Sequence, residues 1–183
     1  MKKYLNITVS RSHPAAILAC GFMALSAAIR LWHFLAGPLT PFDLWVQLVL
    51  PTAAAVIFLA GFALDRVKVA SLISVVLGVG FFILKATTFA PVHQALCTVL
   101  YCAVLVLYSL TVLGYLPTKK LLYPLFALPL AYHIFVEDTQ AYFFAQPPVP
   151  VWYWMPELSV LCIMSGLLCL SFAMKAEPVT ASD

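Results

Sequence analysis

Residues 53–90 read AAAVIFLAGFALDRVKVASLISVVLGVGFFILKATTFA, two long apolar runs on either side of the Asp65-Arg66 pair. Neither run alternates apolar with polar residues, as a barrel strand does over about 10 positions. Roughly 20 apolar residues in a helix cross the ~30 Å of bilayer hydrocarbon. A helix also pairs its backbone N–H and C=O groups internally, which lipid cannot do for them. The stretch therefore predicts two membrane-crossing helices joined by a short charged turn.

The remainder of the chain repeats that pattern. Of 183 residues, 64% are apolar and 9% charged, and mean hydropathy is +1.02. Soluble domains carry about 25% charged residues, so a cytosolic enzyme and a disordered tail are excluded. The net charge of +3 is too small and scattered for a phosphate-tracking surface, which excludes nucleic acid as a partner. The expected fold is all-α, a polytopic integral membrane bundle of six transmembrane helices at 14–36, 43–64, 68–90, 91–115, 120–136 and 155–174. Residues 1–13 and 176–183 are expected as cytoplasmic segments flanking one transmembrane domain, 14–175. Gly37-Pro38, Pro41, Pro91, Pro117 and the Gln146–Pro150 linker mark boundaries, because proline cannot comfortably continue a helix. Pro51, Pro124 and Pro129 fall inside spans and predict kinks.

Orientation follows from the lysines and arginines. With both termini cytoplasmic, Lys2, Lys3, Arg11, Arg66, Lys68, Lys119, Lys120 and Lys175 lie inside, and only Arg30 and Lys85 lie toward the outside. Trp32, Trp45, Trp152 and Trp154 then share the outer interface, where amphipathic rings settle. Membrane lipid is the expected surrounding, and a bacterial plasma (inner) membrane suits the Lys2-Lys3 start and the positive inner loops. Lys2, Lys3 and the following apolar stretch imitate a signal peptide, but the stretch is too long and carries Arg30; it is read as a retained first helix.

Ionisable groups inside spans are costly and face a partner, a cavity or the interface. Here they gather in the outer half. Arg30 and His33 share a face of span one, and Asp43 and Gln47 a face of span two. His133 and Glu137 fall one turn apart on span five, while Lys85 closes span three and Glu157 opens span six. Together with Trp32 and Trp154 they form the candidate lining of an outward-facing pocket. Aromatic walls and surplus acid suit a small cationic or zwitterionic solute. Residue by residue, a plainer account competes: Lys85 snorkels to the interface, and Arg30 forms a structural bridge to an acid.

Small residues repeat every four positions along span one at Ala16, Cys20, Ala24 and Ala28, a strip against which another helix, intramolecular or from a partner subunit, packs closely. In size, span count and cytoplasmic ends the chain is similar to the substrate-capture subunits of energy-coupling-factor vitamin importers. Those dock on a transmembrane partner through small residues of the first helix, a role that Ala15-x-x-x-Ala19 and its neighbours would imitate. The likeness is one of layout, without a diagnostic ligand motif. The leading functional expectation is a transporter or substrate-capture subunit without cofactor, and not an enzyme. A structural or regulatory subunit without ligand is the alternative. A haem- or metal-binding redox protein using His33, His93 and His133 is the third. The five cysteines form no C-x-x-C pair and read as small apolar side chains.

Overall fold

The computed structural model describes residues 3–36, 44–89, 92–132 and 155–179. They are mostly helical. Strand β1 (Leu5–Val9) leads into α1 (Pro14–Ala36); a π-helical turn at Leu44–Val49 runs directly into α2 (Leu50–Ala63). Then come α3 (Val67–Phe89), α4 (Val92–Leu113), a 3₁₀ turn at Lys119–Leu121 continuing into α5 (Leu122–Tyr132), α6 (Met155–Ala173) and strand β2 (Met174–Pro178). Among the described residues two helices, over Pro14–Leu35 and Val67–Leu84, are long and apolar enough to cross a membrane.

Local chemistry explains the interruptions. Pro51 offers no N–H, and its ring crowds the carbonyl four residues back, so the chain enters α2 through a wider π-helical turn. Pro124 is the third residue of α5, where an N–H has no intrahelical acceptor, and Pro129 lies inside that helix. The α2–α3 turn places Asp65 at φ 58, a left-handed conformation that aspartate tolerates better than most residues. Glycine is needed nearby at Gly61: a Cβ there would collide with the Cβ of Ala70. Ser74 completes the hairpin by donating to the Ala54 carbonyl across it at 2.7 Å.

The α1–α6 pair is the spine of the fold. Buried positions on α1 are Ala16, Ala19, Met23, Ser26, Arg30 and His33, spaced 3, 4, 3, 4, 3 as in a helix–helix seam. Gly166 of α6 lets the helices approach: a Cβ there would stand 3.1 Å from Met23 Cε and 3.3 Å from the Ala19 carbonyl. Ser26 meets Ser159, and Ala19 meets Gly166. The helices therefore run antiparallel.

The two-stranded sheet is absent from the all-helical sequence reading, which left β1 and residues 176–178 in flanking segments and ended span six at Met174. Its pattern is visible: Leu5-Asn6-Ile7-Thr8-Val9 alternates apolar with polar and includes β-branched residues, the period of a half-buried strand. β1 pairs antiparallel with β2, from Leu5 opposite Pro178 to Val9 opposite Met174. The sheet thus prolongs the α1–α6 pair as a continuous two-stranded ribbon. Leu5, Ile7 and Met174 are buried, while Asn6, Thr8, Lys175 and Glu177 face outward.

Both edges of this ribbon are tied to helix ends. Gly114, at φ 86, terminates α4 and accepts the N–H groups of Tyr4 (2.8 Å) and Leu5 (3.1 Å) on its carbonyl. A Cβ at Gly114 would run into the Leu5 carbonyl, so no other residue fits. Lys68, in the first turn of α3, donates to the Ile7 carbonyl at 3.1 Å. Lys119 donates to the carbonyl of Met174. Unpaired strand edges otherwise invite pairing with other chains. Arg11 lies 3.8 Å from Asp65 at the same end, both well exposed, which adds little stability.

Candidate functional site

At the opposite end of the α1–α6 seam the packing turns polar. Ser26 Oγ lies 2.7 Å from Ser159 Oγ and donates to the Ser159 carbonyl at 3.0 Å. Arg30, one turn further along α1, donates from Nε to Ser159 Oγ at 2.8 Å. Its guanidinium carbon stands 5.7 Å from the centroid of the Phe81 ring on α3, within cation–π range. Phe82 stacks on Tyr101 of α4, centroids 4.8 Å apart and planes 11° from parallel. Three helices (α1, α3 and α6) thus touch the guanidinium or its serine partner, and the Phe81–Phe82 pair links them to α4.

Arg30 is fully buried, with 0% of its surface exposed, and His33 keeps 7%. Removing a charged guanidinium from water costs several kcal/mol by order of magnitude, about what its hydrogen bonds and ring contact must offset. Such a group inside an apolar bundle holds the packing together or meets a polar ligand. The two seam serines bond across the seam, hydroxyl to hydroxyl and hydroxyl to carbonyl. They form a hydroxyl pair that joins α1 to α6 and presents an acceptor to Arg30.

The structure brings Arg30 and His33 onto one buried face, as their three-residue spacing implies. Trp32 points the other way, 65% exposed, because a step of two residues rotates a helix by more than half a turn. With Ala28, Leu31 and Leu35 it lines an open apolar groove on the outer surface of α1. The strip of small residues divides similarly: Ala16 is buried and Cys20 half-buried against the bundle, while Ala24 and Ala28 are exposed. A four-residue repeat drifts around a straight helix, whereas the 3, 4 alternation of the true seam does not.

Asp43, His133, Glu137 and Trp154 lie outside the described residues, and so do the side chains of Gln47, Lys85 and Glu157, whose backbones belong to the π-helical turn, α3 and α6. Among the described residues no three His, Cys, Asp or Glu side chains gather as a metal-ligand set. Sequence reasoning did not single out Ser26, Ser159, Phe81 or Tyr101 as site residues. The available signal was the seam itself, in which Ser26 and Arg30 are four apart, on the face that continues to Ala19 and Met23. Compared with known families, characterised proteins and solved structures, the chain matches none.

Proposed function

We propose that the chain is an integral membrane protein of six transmembrane helices with both ends cytoplasmic, and that it binds a small zwitterionic or cationic solute from the outer side, as a transporter or substrate-capture subunit in a bacterial inner membrane. The observation that carries this reading is Arg30, a charged group with 0% exposure set among apolar helices and aromatic rings. The membrane setting draws support from the outward faces of the helices, which are as apolar as their inward faces. Leu35 on α1 is 75% exposed, Val76 on α3 70% and Leu128 on α5 62%. In water such faces favour aggregation; in lipid they are ordinary. Among the described residues, exposed positive charge collects at the ribbon end, on Lys3, Arg11, Arg66, Lys120 and Lys175, the pattern of a cytoplasmic surface.

In this reading Arg30 offers its guanidinium to the carboxylate of a zwitterion. Asp43, Glu137 and Glu157 are the acids available to an amino group, with Gln47, His33, Lys85, His133 and Trp154 completing the lining. Trp32, facing outward, anchors α1 at the interface. Docking on a partner subunit is left to the exposed Ala24–Ala28 face.

A second reading has its own support. The Ser26–Ser159–Arg30 bonds join α1 to α6 directly, as they would in a scaffold or regulatory subunit that binds nothing. Native mass spectrometry of protein released from its own membrane separates the two. A retained small molecule, lost in Glu137→Gln at unchanged yield, supports solute capture. An empty protein that co-purifies with another subunit supports the scaffold.

A further inference from the structure

We propose that the β1–β2 ribbon is a strap closing the cytoplasmic end of the bundle, and that its release opens the interior on that side; the proposal rests on the membrane-solute reading above. An isolated two-stranded ribbon is marginally stable in water. This one persists through its buried face, Leu5, Ile7 and Met174, and through a few ties at its edges. Those ties go to elements outside the α1–α6 spine: Gly114 at the end of α4, Lys68 at the start of α3, and Lys119 before α5. The strap therefore binds the spine to the other helices at one end only, and each tie is a single hydrogen bond or a pair of them. Undoing them requires no helix to unfold.

A second observation lies beneath the ribbon. Tyr108 of α4 is fully buried and edge-on to Phe126; its hydroxyl meets the Ser71 hydroxyl of α3, which itself donates to the Lys68 carbonyl at 2.9 Å. Ser71 is one turn in from Lys68; Tyr108 is six residues before Gly114, about 9 Å of helix. A buried hydroxyl whose one neighbour is already engaged elsewhere is poorly satisfied in a dry interior and signals a place that takes water or a polar guest. With the strap lifted, Tyr108 and Ser71 join Thr111 and Ser171 as the buried polar groups at that end which water or a departing solute meets.

The test uses Ser71→Cys as a reporter, in a chain whose native cysteines (Cys20, Cys97, Cys102, Cys162 and Cys169) are replaced by alanine. Lys68→Met and Lys119→Met are added to undo two of the ties to the ribbon. The probe is a small quaternary-ammonium methanethiosulfonate applied to the cytoplasmic face of inverted vesicles. If the strap opens, the reporter is modified in the chain with its ties intact and about tenfold or more faster once they are removed, since the labelled species is the locally open one. Equal rates with and without the ties, or an inert reporter in both, overturn the proposal. Hydrogen exchange on the unaltered chain gives an independent check: ribbon amides should exchange at least about tenfold faster than those of the α1–α6 seam, and equal protection overturns the strap. Neither readout contains a solute. A failed strap leaves the retention measurement standing, and an empty retention measurement leaves the labelling pattern standing.

Discussion

Replacing Ser159 with alanine isolates the energetics of the buried centre. The hydroxyl accepts from Arg30 Nε at 2.8 Å and shares a proton with Ser26 Oγ at 2.7 Å. A buried hydrogen bond to a charged donor is worth about 1.5–3 kcal/mol, and one between neutral groups across transmembrane helices about 0.6–2 kcal/mol. Ser159→Ala removes both, but Ser26 retains the Ser159 carbonyl at 3.0 Å, so the second loss is partial. The expected cost is about 2–3 kcal/mol. Ser26→Ala should cost only about 0.5–1 kcal/mol, because Ser159 still serves Arg30. The measurement is equilibrium unfolding in mixed detergent micelles, followed by tryptophan fluorescence. A Ser159→Ala protein within about 0.5 kcal/mol of its parent, or a Ser26→Ala protein that is the weaker of the two, refutes the reasoning.

Arg30→Ala removes the guanidinium together with its desolvation cost, leaving Ser159 short of a donor beside a cavity; a loss of about 1–3 kcal/mol is expected, read as reduced yield and earlier unfolding. Normal yield and stability would mean that no buried network depends on it. Gly61→Ala drives a methyl group into Ala70, an overpacking expected to cost about 1–3 kcal/mol, whereas Gly21→Ala meets nothing within 4 Å and should gain up to about 1 kcal/mol from helix propensity; thermal unfolding of the two variants compares them, and equal shifts would contradict the close α2–α3 approach. Burial pushes the Lys119 ammonium below the ordinary lysine pKa of 10.5. Between the lowered value and 10.5 the unfolded chain binds more protons, so this group makes the fold more stable as pH rises through that window. Lys119→Met should flatten that rise, as measured by stability against pH, and an unchanged slope would count against a buried amine.

Helix positions were legible because apolar runs and their breakers are one-dimensional signals. α1 occupies Pro14–Ala36, and the Asp65-Arg66 turn separates α2 from α3. The rotation of each helix was not legible. Nearly every face is apolar, so a hydrophobic pattern does not tell the inward side from the outward one. That is why Trp32 fell on the far side of α1 from Arg30 though only two positions away, and why the Ala16–Ala28 strip crosses from buried to exposed. The ribbon was overlooked for a different reason. Its strands are five residues each and Met174 lies 165 positions beyond its partner Val9, so only the alternation of Leu5 to Val9 announced one strand and nothing local announced its partner.

The same ambiguity explains why polar groups occur where they do. Apolar helices in an apolar surrounding gain little from any particular rotation or sliding register, since lipid tails solvate leucine as well as a neighbouring helix does. Register has to come from contacts that are lost when a helix slides or turns. The α1–α6 pair has three: Ser26–Ser159–Arg30 at one end, the close approach at Gly166 in the middle, and the β1–β2 pairing at the other. A slip of one residue would flip every ribbon side chain to its opposite face, exposing Leu5 and Ile7 and burying Asn6 and Thr8. It would also carry Ser159 about 100° around its helix, out of reach of Arg30. The pins at the two ends therefore enforce one another, and a ribbon opened at its ties leaves the spine in register through Ser159 and Gly166.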